Sequence, residues 1–373
     1  MHKITFYPVG NANCCLIELE NGQLILFDYF NLGNSDDDND LRIDTASEIK
    51  AILDEKNRDN IDIVAITHID KDHLGGASDF FYLEHAQKYQ SDERIKIDTL
   101  WIPAGAILEE GAKDESRIIR TEARYRFKEG KGIRVFSRPK KLERWLNAQN
   151  PKLTIEDRKH LITDAGKIIP DFSKSNEGVE FFVHSPFAHR QNNNELIDRN
   201  GDCFVVQATF LSNGIETKVI LTGDIHWESL DDLIKITKQH NNESRLEWDI
   251  YSLPHHCSYL SLASDKGTKK TEPTENIKWL LEEQGQNKGI IIVCSSKPIP
   301  TGDTTQPPHY QAANYYKNCA KNIDGEFIVT MEHPKVSAPK PLVITIDGSG
   351  STVKKQTNYG VSLITNRPTP RAG

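Results

Sequence analysis

The most constraining stretch of the chain lies between residues 61 and 76. Ile61 to Thr67 is, apart from Asp62, an apolar and β-branched run, the pattern of a largely buried strand. It ends in His68-Ile69-Asp70-Lys71-Asp72-His73-Leu74-Gly75-Gly76. Four side chains able to bind a metal thus fall within six residues, directly after a buried strand. A tight turn at a strand end aims such side chains at one point above the sheet. Imidazole nitrogen and carboxylate oxygen together suit zinc and manganese. The two glycines let the backbone come close before the next helix begins. A solvated polar loop would account for one His and one Asp here, but not for this density.

The same geometry recurs three times in chain order. Lys218-Val219-Ile220-Leu221-Thr222-Gly223-Asp224 is a buried strand ending in Gly-Asp. Ser252-Leu253-Pro254-His255-His256-Cys257-Ser258 is a strand ending in adjacent histidines. Pro307-Pro308-His309-Tyr310 places a histidine at the mouth of a helix. With 13 histidines in the chain, one or two such coincidences are cheap, whereas four in order are not explained by packing.

Around these motifs short strands alternate with helical spacings. Asn21-Gly22 marks a hairpin between Cys14–Glu20 and Leu24–Asp28. Helices are expected over Thr45–Lys56, after Gly76, and over Trp227–Gln239, Thr274–Glu283 and Tyr310–Cys319. Strands and strand–helix units in both halves predict a sheet-on-sheet core covered by helices. The longest apolar runs fall far short of the ~20 residues that span a bilayer, so no membrane partner is expected. Met1 to Pro8 runs straight into a strand pattern without a leader's apolar core. Six dispersed cysteines without a Cys-x-x-Cys pair fit buried thiols in a reducing cytoplasm.

The net charge of −8 conceals an uneven distribution. Between Lys113 and Lys159 there are 15 Lys and Arg against 7 acids, an island of +8 in a body of −16. Tyr125, Phe127, Phe136 and Trp145 are interleaved with it. Such an island can contact phosphates, with Arg120, Arg124, Arg126 and Lys128 as candidates, and its aromatics can stack bases. A solvated helical excursion is the competing reading. Asp36-Asp37-Asp38-Asn39-Asp40 lacks the Gly and distal Glu of a calcium loop and reads as a solvated acidic turn.

In order and spacing the motifs resemble the metallo-β-lactamase superfamily of metal-dependent hydrolases, most of all the hydrolase domain of ComEC-type competence proteins, over residues 3 to about 320. Val9-Gly10-Asn11-Ala12-Asn13-Cys14-Cys15 looks like the family's opening turn, and Ile25-Leu26-Phe27-Asp28 like its next strand. His68-x-Asp70-x-Asp72-His73 is similar to the signature metal motif with Asp in place of the second His. Leu221-Thr222-Gly223-Asp224 matches the bridging carboxylate. Pro254-His255-His256-Cys257-Ser258 is similar to Pro-His-His-Gly-Ser with Cys for Gly.

The resemblance implies an α/β (α+β) fold, a four-layer αβ/βα sandwich. It implies one domain over 1–373, with 104–176 as a basic, mainly helical insertion; the Pro/Arg-rich 366–373 reads as a loose tail. His68, Asp70, Asp72, His73, Asp224 and His309 would be metal ligands. Many relatives carry a further His before the bridging aspartate; here Arg199-Asn200-Gly201-Asp202-Cys203-Phe204 has none, which leaves His184 or Asp202 as replacement. Asp28 would hydrogen-bond a ligand imidazole, and Asp72, His255 and His256 would serve catalysis. Two divalent cations, zinc or manganese, are expected, with one cation as the alternative. The function implied is hydrolysis by an activated water, with a phosphodiester of nucleic acid as the first substrate. A lactone, thioester or amide is the second, served by Trp101, Ile102 and Ile107 as an acyl pocket. A binding module with a degenerate site is the third reading.

Overall fold

The computed structural model of the chain describes residues 1–33, 39–193, 198–285 and 290–354. The 366–373 tail and residues 36–38 of the acidic turn lie outside them. Fifteen strands among the described residues form two sheets. The first contains β1 (His2–Phe6), β2 (Cys15–Glu18), β3 (Leu24–Phe27), β4 (Asn60–Ala65), β5 (Lys96–Pro103), β6 (Ile133–Phe136) and β7 (Ile162–Thr163). The second contains β8 (Val179–Ser185), β9 (Val205–Ser212), β10 (Ile215–Leu221), β11 (Ile250–Ser252), β12 (Ile291–Cys294) and β13 (Glu326–Val329). The chain then returns to the first sheet with β14 (Leu342–Asp347) and β15 (Gly350–Val353). The spatial orders are β15-β14-β1-β2-β3-β4-β5-β6-β7 and β13-β12-β11-β10-β9-β8. One half of each sheet is antiparallel, and helical crossovers make β3 to β7 and β10 to β13 parallel.

The period of two along each strand divides its side chains between layers. Ile63 and Ala65 of β4, Val219 and Leu221 of β10, and Ile291 and Val293 of β12 enter the core between the sheets. Their neighbours Val64, Ile220 and Ile292 face outward into helices. Over the first sheet lie α1 (Thr45–Glu55), α2 (Lys71–Leu74), α3 (Ala77–Phe80), α4 (Ala104–Leu108), α5 (Asp114–Glu129) and α6 (Lys140–Asn147). After α7 (Ala188–Asn193), the helices α8 (Trp227–Gln239), α9 (Glu275–Glu283) and α10 (Tyr310–Asn322) cover the second. The result is a helix–sheet–sheet–helix sandwich. No helix among the described residues is long and apolar enough to cross a membrane.

The segment 104–176 carries α4, α5 and α6 together with β6 and β7, which extend the first sheet beyond β5. The expected helix after Gly76 is a single turn, α3, preceded by another, α2. Trp101 on β5 stands at the centre of the inter-sheet core, fully buried, edge-on to Phe136, Phe172, Phe181 and Phe204. Truncating it leaves a cavity bounded by both sheets, so Trp101→Ala is expected to cost about 3–5 kcal/mol in urea unfolding. A loss below about 1 kcal/mol would show that the two sheets are not held together here.

Candidate metal centre

The polar site forms where β3, β4, β10 and β11 end on the same rim. The backbone of Asp28, just past β3, is left-handed (φ 55°), a region Asp tolerates better than most residues. Its N–H donates to Ala65 O at 2.8 Å. Its carboxylate is buried and accepts from the Thr67 N–H (2.7 Å), the Thr67 hydroxyl (2.8 Å) and His73 Nδ1 (2.7 Å). A carboxylate only accepts, so Nδ1 carries the proton and His73 presents the lone pair of Nε2 to the rim. His256 is set the same way: Nδ1 donates to Ser295 O at 2.8 Å. Its Nε2 lies 2.9 Å from Asp72 Oδ2 and 3.6 Å from Asp224 Oδ2.

Backbone geometry makes this convergence possible. Gly75 lies so close to Phe30 and Leu32 that a Cβ would come within 2.8 Å of each, which brings the His73 turn down on the chain after β3. Gly223 is left-handed (φ 55°), and a Cβ there would sit 3.0 Å from Thr67 Cβ; its absence lets the end of β10 abut the end of β4. His255, His256 and Cys257 are all left-handed, with φ of 51°, 51° and 66°. This tight turn follows β11, and its His255 N–H donates to Gly223 O at 3.2 Å.

Asp72, His73, Asp224 and His256 therefore meet, with one ligand atom from each lying within 4.8 Å of the others. His73 Nε2 is 3.2 Å from Asp224 Oδ1, yet neither atom has a hydrogen-bond partner. Buried acceptors left unpartnered and aimed at one point fit a divalent cation. Burial disfavours the charged rings, but Asp28 and Asp224 around His73, and Asp224 and Asp72 around His256, outweigh it and raise both imidazole pKa values. Burial likewise opposes ionisation of Asp224, and His256 and His73 hold it well below the usual carboxylate range all the same.

His68 and Asp70 sit to one side, with His68 Nε2 3.4 Å from Asp70 Oδ2. Asp202 is buried, neither of its carboxylate oxygens is partnered, and burial pushes its pKa up to about 7. It lines one small cavity with His68, Glu109 and Arg199. Arg199 and His226 were not singled out by the motifs. The guanidinium of Arg199 donates to Asp70 and to Glu109; the His226 ring stacks on His255 at 5.4 Å.

Other expected residues are placed elsewhere. His309 is not one of the four side chains that converge, and its buried Nε2 has no hydrogen-bond partner. It begins α10, where its N–H donates to Cys257 O at 3.1 Å and its Nδ1 accepts from the Tyr259 N–H at 3.4 Å, so it braces the His256 turn. His184 belongs to β8, where its Nε2 donates to Arg245 O at 2.8 Å beside a separate cavity of about 580 Å³. Arg126 is buried and forms ion pairs with Glu122 and Glu84, and it donates to Ile97 O and Gly132 O. It is thus a core residue, unable to meet a substrate. Arg120 donates to Glu109 O, and Arg124 to Ile107 O and Glu110. Lys128 is exposed.

No protein-family model matches the chain, and no curated protein matches it in sequence. Among solved structures it is similar to unliganded yeast PDE1, with a TM-score of 0.43 and 10% identity over 88% of this chain and 97% of that one. It is also similar to a diphosphatase from the PhnP family (TM-score 0.35, 10% identity, 93% and 98% of the two chains). A third is the metallo-β-lactamase GOB-18 from Elizabethkingia meningoseptica (TM-score 0.34, 11% identity, 86% and 89%).

Two outcomes are expected. Asp28→Asn keeps an acceptor for Thr67 but turns an amide N–H₂ toward His73. Metal affinity, read by chelator competition, should fall about 10–100-fold, and unchanged affinity would refute the link. His184 is pushed down by burial from 6.5 to about 4. The unfolded chain therefore binds the proton first, and stability is lost as pH falls from about 6.5 to about 4. His184→Gln should be flatter than wild type over that window by up to about 3 kcal/mol in urea unfolding; parallel curves would contradict it.

Proposed function

We propose that the protein is a metal-dependent hydrolase of phosphodiester or related phosphoryl bonds. The observation that carries the reading is the meeting of Asp72, His73, Asp224 and His256, with both imidazoles held in the tautomer that presents Nε2. A divalent cation, zinc or manganese, would be held by these four, and His68, Asp70 and Asp202 offer ligands for a second. When bound, such a cation supplies Lewis acidity and lowers the pKa of water from ~15.7 toward ~7.

The chain's own groups divide the remaining work. The Asp72 side chain is 34% exposed, whereas those of His73, Asp224 and His256 are at most 3% exposed. It is the member of the cluster that a substrate and its attacking water can reach, and it is placed to orient that water and take its proton. Asp28 and Ser295 O keep the rings from rotating. His255 precedes His256 in the same turn and its ring stacks on His226, which makes it the candidate to protonate a leaving group. The acyl alternative loses its pocket, because Trp101, Ile102 and Ile107 are wholly buried. The basic island argues less for nucleic acid than its charge suggested, since Arg120, Arg124 and Arg126 are bonded within the protein. Six unpaired, buried cysteines support a reducing, cytoplasmic setting.

The test is a panel of bis-p-nitrophenyl phosphate, plasmid and single-stranded DNA, and chromogenic esters, assayed with Mn²⁺ or Zn²⁺. Phosphodiester cleavage is expected, and Asp72→Asn should lower it about 10²–10⁴-fold. Cleavage of esters alone, or full activity in Asp72→Asn, would overturn the assignment.

A further inference from the structure

The rim holds two groups of ligand-type side chains, and they are not equivalent. Asp72, His73, Asp224 and His256 face one another, and among the described residues no Lys or Arg is ion-paired with Asp72 or Asp224. In the second group, His68 Nε2 lies 3.4 Å from Asp70 Oδ2, and Asp202 shares a small cavity with His68. Here a cation is already supplied by the chain. The Arg199 guanidinium donates through one nitrogen to Asp70 Oδ1, while its Nε reaches Glu109 Oε2 at 2.9 Å and Oε1 at 3.1 Å. Arg199 also lines the cavity that Asp202 and His68 share.

The placement of Arg199 is built rather than incidental. Glu109, its anchor, follows α4, and three contacts from α5 fix that segment. Arg120 donates to Glu109 O, Arg124 Nε donates to Ile107 O at 2.7 Å, and Arg124 Nη2 donates to Glu110 Oε1 at 3.0 Å. A bidentate guanidinium–carboxylate pair is rigid as well as charged.

Resting on the metal-hydrolase reading above, we propose that the centre is asymmetric. One cation is held tightly by Asp72, His73, Asp224 and His256. At the His68–Asp70–Asp202 position, Arg199 supplies the positive charge that a second cation would bring. A second cation competes with that fixed charge for Asp70 and binds weakly.

The experiment is equilibrium dialysis of the whole chain against graded Mn²⁺, with electron paramagnetic resonance of the bound ion. Wild type is expected to bind one tight equivalent with a mononuclear signal, the second being weaker by about two to three orders of magnitude, the scale of one unit charge a few ångströms away. Arg199→Met should bind two equivalents of similar affinity and give a spin-coupled signal. Adding Asp202→Asn to Arg199→Met should remove the second equivalent. Two equally tight equivalents in wild type, which needs no variant to fold, would overturn the asymmetry while leaving the hydrolase reading intact. So would a second equivalent in Arg199→Met as weak as in wild type. No tight Mn²⁺ in wild type, with Asp224→Asn indistinguishable from it, would instead overturn the metal-hydrolase reading itself.

Discussion

Everything on the rim depends on one buried carboxylate. Leaving an ion unpaired in the interior costs several kcal/mol, so Asp28 is tolerable only because its oxygens accept from the Thr67 backbone, the Thr67 hydroxyl and His73. Those three bonds tie together the end of β3, the end of β4 and the turn that follows. They fix where the metal-binding motif begins, the height at which His73 emerges, and which nitrogen it offers. The adjoining β9 is docked at the same point, since the Phe204 N–H donates to Thr67 O at 2.8 Å. One side chain thus sets both the junction of the two sheets and the chemistry above it.

The other half of the site is held by strain. Three consecutive left-handed residues, His255, His256 and Cys257, cost of order 1–3 kcal/mol each unless their surroundings compel the conformation. Here they do. Gly223 O, Ser258 N–H and the His309 N–H each bond the turn, and β11 delivers it in parallel register with β10. The family resemblance expects glycine where Cys257 stands, and glycine would adopt this backbone freely. Cysteine is accepted because its side chain is wholly buried in the helix-side core of the second sheet. Packing offsets the backbone penalty, and His256 stays aimed at Asp72.

Much of this was legible in the chain. The strand Ile61–Thr67, the hairpin at Asn21-Gly22 and the helix Trp227–Gln239 follow from local periodicity, which the tertiary structure does not override. Asp72, His73, Asp224 and His256 were each visible as polar residues at strand ends. Strands β6 and β7 were not: Ile133-Arg134-Val135-Phe136 has an arginine in a buried run, acceptable only because Arg134 reaches Asp171 and Thr163 from distant segments. His309 and His184 illustrate the reverse. Residue type and strand-end position made both candidates for the cluster, but which partners an imidazole takes, the Tyr259 N–H for His309 and Arg245 O for His184, is long-range information that spacing cannot reveal. Arg199 was hidden for the same reason, since its meaning comes only with Glu109 and Asp70.

The charge of the basic segment gains a different meaning from these contacts. An island of +8 reads as a surface for polyanions if its arginines face water, but Arg126 is buried beside Glu122, and Arg120 and Arg124 reach the backbone and side chain of residues 107–110. The bonds to the Ile107 and Glu109 carbonyls and to the buried Glu122 satisfy acceptors inside the fold, whereas Glu110 is exposed. The order they impose ends at Glu109, which holds Arg199, which reaches Asp70. The basic helix α5 is therefore connected, through three side chains, to a single positive charge beside an acidic centre. These arginines fix the segment that holds Arg199 in place, and the net −8 of the whole chain says little about what approaches the site.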